Sequence, residues 1–168
     1  MNVAMKRGAW AHCLLSAYLW LIAWIPLGNW NRQRGGTFLT ALLEGRAIEA
    51  GDIGLLLFIS LPAILFWLAY QRGAFWFGIA ALTVDLVWLA LQIQSWWIPY
   101  IFGTNVKWRL EYAQGPTTKV LPSFGHHVAP DGMHLAISVL LVAALSTGVA
   151  GVRLLKQSDN VQRASHAN

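Results

Sequence analysis

Cysteine and charge are what this chain lacks most. It has a single cysteine, Cys13, which excludes an intramolecular disulfide framework and any thiolate cluster. With no Cys-x-x-Cys pair, a disulfide-exchanging quinone reductase of the usual membrane type is excluded too. Charged residues are 11% of the total, against about 25% in a soluble domain. There is no Walker A loop, no Rossmann glycine pattern and no nucleophile-elbow glycine pair around Ser123. What fills the space is apolar: 57% of the 168 residues are hydrophobic and 12% aromatic, ten of them tryptophan. An ordinary cytosolic domain and a disordered chain are both excluded.

The apolar residues fall into four runs, and a membrane helix needs about 20 such residues to cross about 30 Å of hydrocarbon. The runs are 10–30, 53–70, 74–97 and 135–152. The expected fold is therefore all-α: an integral membrane four-helix bundle in up-down-up-down order, one domain over 1–155. A polar tail, 156–168, is expected to be disordered. Gln71, Arg72 and Gly73 leave room only for a tight hairpin between the second and third spans. Trp10 and Trp30 would mark the two interfaces of the first span, as amphipathic rings prefer headgroup depth. Gly28-Asn29-Trp30-Asn31 is a poor cleavage site, so this run reads as a retained helix rather than a signal peptide.

Basic residues tie between the two sides. Lys6, Arg7, Arg72, Arg153, Lys156 and Arg163 share one side; Arg32, Arg34, Arg46, Lys107, Arg109 and Lys119 share the other. The first group crowds the span ends, where the positive-inside rule operates, so both termini are placed in the cytoplasm. A net charge of +5 suits an anionic inner leaflet and needs no nucleic acid. The bilayer is the partner the composition implies, with a homodimer or other membrane proteins as further candidates.

Two segments lie outside the spans. Thr37 to Glu44, with Gly35 and Gly36 before it and Gly45 after, reads as a short amphipathic helix. The segment 98–134 is too long for a plain connection and too rich in Trp108, Tyr112, Leu121, Phe124 and four prolines to be disordered. It reads as an ordered cap, with a short helix over 105–112 that puts Trp108 and Tyr112 on one face.

The stretch Trp96-Trp97-Ile98-Pro99-Tyr100-Ile101-Phe102-Gly103, then Tyr112, then Thr118-Lys119-Val120-Leu121-Pro122, Gly125 and Pro130-Asp131-Gly132-Met133-His134, resembles small four-span bacterial membrane proteins with no assigned function. The resemblance covers about 40 residues, an extent read from the quoted motifs. It implies the fold class and a bacterial inner membrane, and no activity.

Three groups of residues carry possible chemistry. His126, His127 and His134, with Glu111 and Asp131, are ligand types for a transition metal, although no H-x-x-x-H or H-E-x-x-H spacing is present. Asp131 fits as an N-cap for the last helix, and His134 as a candidate catalytic group. Asp85 lies mid-span, where an ionisable group is costly and commonly functional. No span supplies Lys or Arg to it, so Tyr18 and Ser60, with Ser146 and Thr147 slightly deeper, are its expected partners. Gln92 shares its face, in a stripe of Gly78, Ala81, Asp85, Trp88, Gln92 and Ser95 turned toward the bundle. His12 and Cys13 read as core packing. Small residues four apart, Ala143/Thr147/Gly151 and Ala144/Gly148, allow close helix approach, and Pro26 and Pro62 can bend their helices. No cofactor is indicated. The expected function is a non-catalytic binding or accessory role. The alternatives are a membrane-embedded enzyme or metalloprotein using the cap histidines with Asp85, and a proton-coupled carrier with Asp85 as relay.

Overall fold

The computed structural model describes residues 3–31, 37–46 and 50–165. The expected punctuation at Gly35 and Gly36, Arg32 and Arg34 of the charge comparison, and His166 of the tail lie outside them. Seven α-helices follow in order: α1 (Val3–Trp24), α2 (Phe38–Leu43), α3 (Ala50–Arg72), α4 (Phe75–Gln92), α5 (Ile98–Phe102), α6 (Lys107–Gln114) and α7 (Gly132–Ser165). A 3-10 turn (Gly28–Trp30) follows α1, and a π-helical turn (Ile93–Trp97) joins α4 to α5. No strand occurs among the described residues, only isolated bridges.

Among the described residues, three stretches are long and apolar enough to cross a membrane: Ile53–Arg72, Phe75–Phe102 and Gly132–Ser158. α1 has the length, 22 residues, but its composition is less apolar. It packs against α3 and α7, and α4 packs against the same two helices, so the four long helices enclose one interior.

The first helix differs from the expected run 10–30. It starts at Val3, through Lys6 and Arg7, and stops at Trp24. Pro26 causes the stop: without an N–H it cannot reach back to the carbonyl of Ile22. Asn31, buried, supplies the missing donor. Its Nδ2 donates to the carbonyls of Ile22 at 2.7 Å and Ile25 at 2.6 Å, while its Oδ1 accepts the Leu27 N–H at 2.7 Å. Trp30 turns inward at this end of the bundle. Its ring lies over Gly132, where an added Cβ would come within 2.6 Å of it, and its Nε1 donates to the Tyr18 hydroxyl at 2.9 Å.

α3 covers the expected second span, and its Pro62 offers no N–H one turn back. In the same stretch Ser16 of α1 donates its hydroxyl to the Ile59 carbonyl at 2.7 Å, tying the two helices. Gly73, at φ +62°, makes the hairpin into α4. The third run continues five residues past the expected Trp97. Pro99 falls in the first turn of α5, and the wider π-helical turn before it absorbs the missing hydrogen bond.

α2 begins with Thr37 as its cap, the hydroxyl accepting the Thr40 N–H at 3.4 Å, and ends before Gly45 at φ +69°. α6 starts two residues later than expected. The tail also departs from expectation: α7 runs on to Ser165 without a break. After Gly151 no glycine or proline interrupts it, and Leu155 still packs against the core.

Two apolar clusters fill the interior. One gathers Leu15, Leu19, Ile59, Ile137 and Leu141; the other gathers Met5, Ala9, Phe66, Ala81 and Val152. The inward face of α1, with Met5, Gly8, Ala9, His12, Leu15, Ser16, Leu19 and Ile22 buried, follows the 3.6-residue helical period.

Candidate functional site: two histidine–aspartate pairs

The first pair lies between the two apolar clusters. Asp85 of α4 is fully buried, as is His12 of α1, and Nε2 of the imidazole is 2.8 Å from Oδ2 of the carboxyl. His12 Nδ1 is 2.7 Å from the Gly8 carbonyl. A carbonyl only accepts, so Nδ1 carries a proton. The pair as a whole is then uncharged when it holds one further proton, on Nε2 or on Oδ2. The short contact lies off the ring N–H direction, so none of His12 Nε2, Asp85 Oδ1 and Oδ2 has a partner in good hydrogen-bond geometry. The imidazole stacks on Phe66 at a centroid separation of 4.3 Å. Gly148 of α7 closes the other side: a Cβ there would meet Leu82 at 2.6 Å and His12 Cε1 at 3.0 Å.

The partner of Asp85 is therefore His12, not Tyr18 or Ser60. Tyr18 accepts from Trp30. Ser60 accepts from Trp20 Nε1 at 2.8 Å and donates to the Leu56 carbonyl at 2.8 Å. Ser146 and Thr147 bond back to their own helix. Gln92 is buried on the Asp85 face, with Oε1 unpartnered. A span started at Trp10 leaves His12 two residues from its end, where no contact with the mid-span Asp85 is expected. From Val3, His12 is ten residues into the helix, at the depth of Asp85. The inward sequence period Gly8, His12, Leu15, Ser16, Leu19 was the available signal.

The second pair sits at the start of α7. Asp131, 2% exposed, gives Oδ1 to the His134 backbone N–H at 2.9 Å and to His134 Nδ1 at 2.7 Å, and Oδ2 to the Tyr112 hydroxyl. The carboxylate is thus an N-cap and an orienting group at once. It fixes the proton on Nδ1 and leaves Nε2 of His134 the free nitrogen of a side chain 15% exposed. Burial works against the ionised form of Asp131, but the His134 bond and charge, the Tyr112 hydroxyl and the His134 amide outweigh it and hold the carboxyl below its usual range. Burial, then the bond to Asp131 and its negative charge, push the Tyr112 hydroxyl well above the ordinary phenol range.

Trp96 organises this site. The π-helical turn carries it inward, its ring 3.8 Å from that of His134 and 5.1 Å from that of Tyr112, with Trp108 edge-on at 6.5 Å. The four-residue spacing of Trp108 and Tyr112 brings both onto Trp96. The next residue, Trp97, donates Nε1 to Ser138 at 3.0 Å, and Ser138 donates to the His134 carbonyl at 2.9 Å.

The other cap residues do not converge here. His126 is exposed, its carbonyl accepting the Thr104 N–H at 2.9 Å. His127 donates Nδ1–H to the Tyr100 carbonyl at 3.0 Å and stacks on Phe124. Glu111 lies 3.8 Å from Lys107 on the surface. Ser123 accepts the Ala129 N–H at 3.0 Å. Among the described residues no three of His, Cys, Asp and Glu gather as metal ligands, so His126, His127 and His134 form no shared centre. Nor do the two pairs meet. Gly148, beside His12, is fourteen residues beyond His134 on α7, about 21 Å along the helix.

Compared with protein-family models, curated proteins and solved structures, the chain matches none.

Proposed function

We propose that the chain is a four-span integral protein of a bacterial inner membrane, with both termini cytoplasmic and a non-catalytic binding or accessory role exercised from the cap end. α1 serves as the fourth span. Its weaker hydropathy comes from Lys6 and Arg7 in its first turns and from two polar residues that face inward, His12 beside Asp85 and Ser16 bonded to Ile59. The outward faces of the other long helices, with Leu57, Ile64, Leu86 and Val139 exposed, would be a liability in water and suit lipid. The observation that carries the functional reading is the enclosure of Asp85. The intramembrane carboxyl is fully buried against His12, whose ring Phe66 and Gly148 enclose, far from the accessible His134. A relay or a joint catalytic pocket needs the opposite arrangement.

Two measurements test this. In a Cys13→Ser background, single cysteines replace Val3, Glu44, Ser123 or Ser158. An impermeant maleimide applied to spheroplasts labels Glu44→Cys and Ser123→Cys at once, and the other two only after lysis. Labelling of Val3→Cys and Ser158→Cys on opposite sides would remove α1 as a span. In proteoliposomes holding a pH dye, proton flux is expected to equal that of protein-free vesicles. A flux abolished by Asp85→Asn would replace the accessory reading with the carrier.

The Asp131-oriented imidazole favours a second reading, in which His134 Nε2 acts as an acid–base group toward a ligand entering the cap. It predicts ligand-dependent protection of His134 from diethyl pyrocarbonate, with His12 unreactive throughout.

A further inference from the structure

We propose that the cap holds a binding site for a phosphate-class oxyanion, anchored by the guanidinium of Arg109. From Ile98 to His134 the chain has three cations, Lys107, Arg109 and Lys119, and two acids, Glu111 and Asp131. Both acids are engaged elsewhere. Glu111 faces Lys107, and Asp131 divides its oxygens between His134 and Tyr112. Arg109 makes no ion pair with any described residue, and its Nε is buried without an acceptor. The side chain is partly exposed, but an N–H shut away from water and left unpaired is unfavourable, unless a ligand completes it.

The guanidinium is held ready for one. Its Cζ lies 5.1 Å from the centre of the Trp108 ring, within cation–π range, and Trp108 in turn is set edge-on to Trp96. A planar guanidinium presents paired N–H groups that match two oxygens of a phosphate. The source follows from the membrane reading proposed above, on which this inference rests: the cap then lies at headgroup depth. A lipid phosphodiester and free phosphate offer the same oxygens, and the experiment separates them.

The full chain is purified in an uncharged detergent, and its thermal unfolding is followed at constant ionic strength. Phosphatidylglycerol, phosphatidylcholine or inorganic phosphate is added. Phosphatidylglycerol is expected to raise the unfolding temperature more than phosphatidylcholine does. Arg109→Gln should weaken the apparent affinity for phosphatidylglycerol about ten- to a hundredfold, the loss of one or two charged hydrogen bonds. Arg109→Lys keeps the charge but not the fork and should recover only part; it also serves if the glutamine variant does not fold. Equal stabilisation by inorganic phosphate identifies a soluble oxyanion as the ligand. The proposal is overturned if none of the three stabilises the wild type or if both Arg109 variants respond as the wild type does; stabilisation by phosphatidylcholine that Arg109→Gln weakens supports it, because that lipid carries the same phosphodiester. Such a failure leaves the cysteine-labelling topology intact, and a failed topology leaves this affinity measurement intact.

Discussion

The two histidine–aspartate pairs have nearly the same separation, 2.8 Å for His12–Asp85 and 2.7 Å for His134–Asp131, and almost nothing else in common. Asp131 lies three residues from its histidine and meets an amide, an imidazole and a phenol. Asp85 of α4 meets His12 of α1, and neither of its oxygens has a donor in good hydrogen-bond geometry. The cap pair is a local motif whose charge is solvated by protein dipoles. The inner pair is a fully buried tertiary clamp, where each member is tolerable only because the other is present.

Breaking the inner pair should therefore have the largest effect. Replacing either His12 or Asp85 by Leu strands its partner, at about 3–5 kcal/mol. Replacing both should cost far less than the sum, because two apolar residues leave nothing unsatisfied. Unfolding of the two single variants and the double variant in detergent measures the coupling. Additive losses would show that the 2.8 Å contact carries no energy. Gly148→Ala probes the same clamp from α7. Overpacking against Leu82 and His12 costs about 1–3 kcal/mol, partly offset by about 1 kcal/mol of helix propensity, so a net loss of about 1 kcal/mol is expected. A gain in stability would mean that Leu82 swings clear.

This contrast also explains what the sequence could and could not disclose. Asp131 and His134 were legible together because an Asp three residues before a His at a helix start is a local pattern. The Trp108 and Tyr112 face was legible for the same reason. The His12–Asp85 contact joins residues 73 positions apart, a separation read from the numbering, and needed the correct start of α1. That start was hidden because Lys6 and Arg7 look like a boundary, while Asn31 hides the effect of Pro26 at the other end. The stripe on α4 was readable as an inward face, yet which helix met it was a tertiary question. The candidate ligands His126, His127 and His134 do not gather among the described residues: His127 turns to the Tyr100 carbonyl and His126 is exposed.

At the cap the sign of the pH dependence can be worked out. The Asp131 carboxyl is depressed in the fold from an ordinary 3.8. Its stabilisation is complete above that value and is lost as the pH falls through the lower folded value. The Tyr112 hydroxyl is raised from an ordinary 10.0, so its contribution is complete below that pH and is lost as the pH climbs through the folded value. Hydrogen exchange at the start of α7, taken relative to the intrinsic amide rate at each pH, should be slowest between these limits. Asp131→Ala should speed it throughout, by the equivalent of about 1–2 kcal/mol for a lost N-cap. Exchange that ignores pH down to 2 would mean that the carboxylate is not what holds the turn.

The smallest effect belongs to the residues that looked most like ligands. His126→Ala with His127→Ala removes one exposed ring and one carbonyl contact, so stability should change by about 0.5 kcal/mol or little more. Protein purified without a histidine tag should show the same metal content and absorption spectrum before and after these changes and His134→Ala. A stoichiometric metal lost in the triple variant would mean that the cap closes around an ion. The comparison would then be redrawn, with the cap rather than the inner pair holding the charge that the fold is built around.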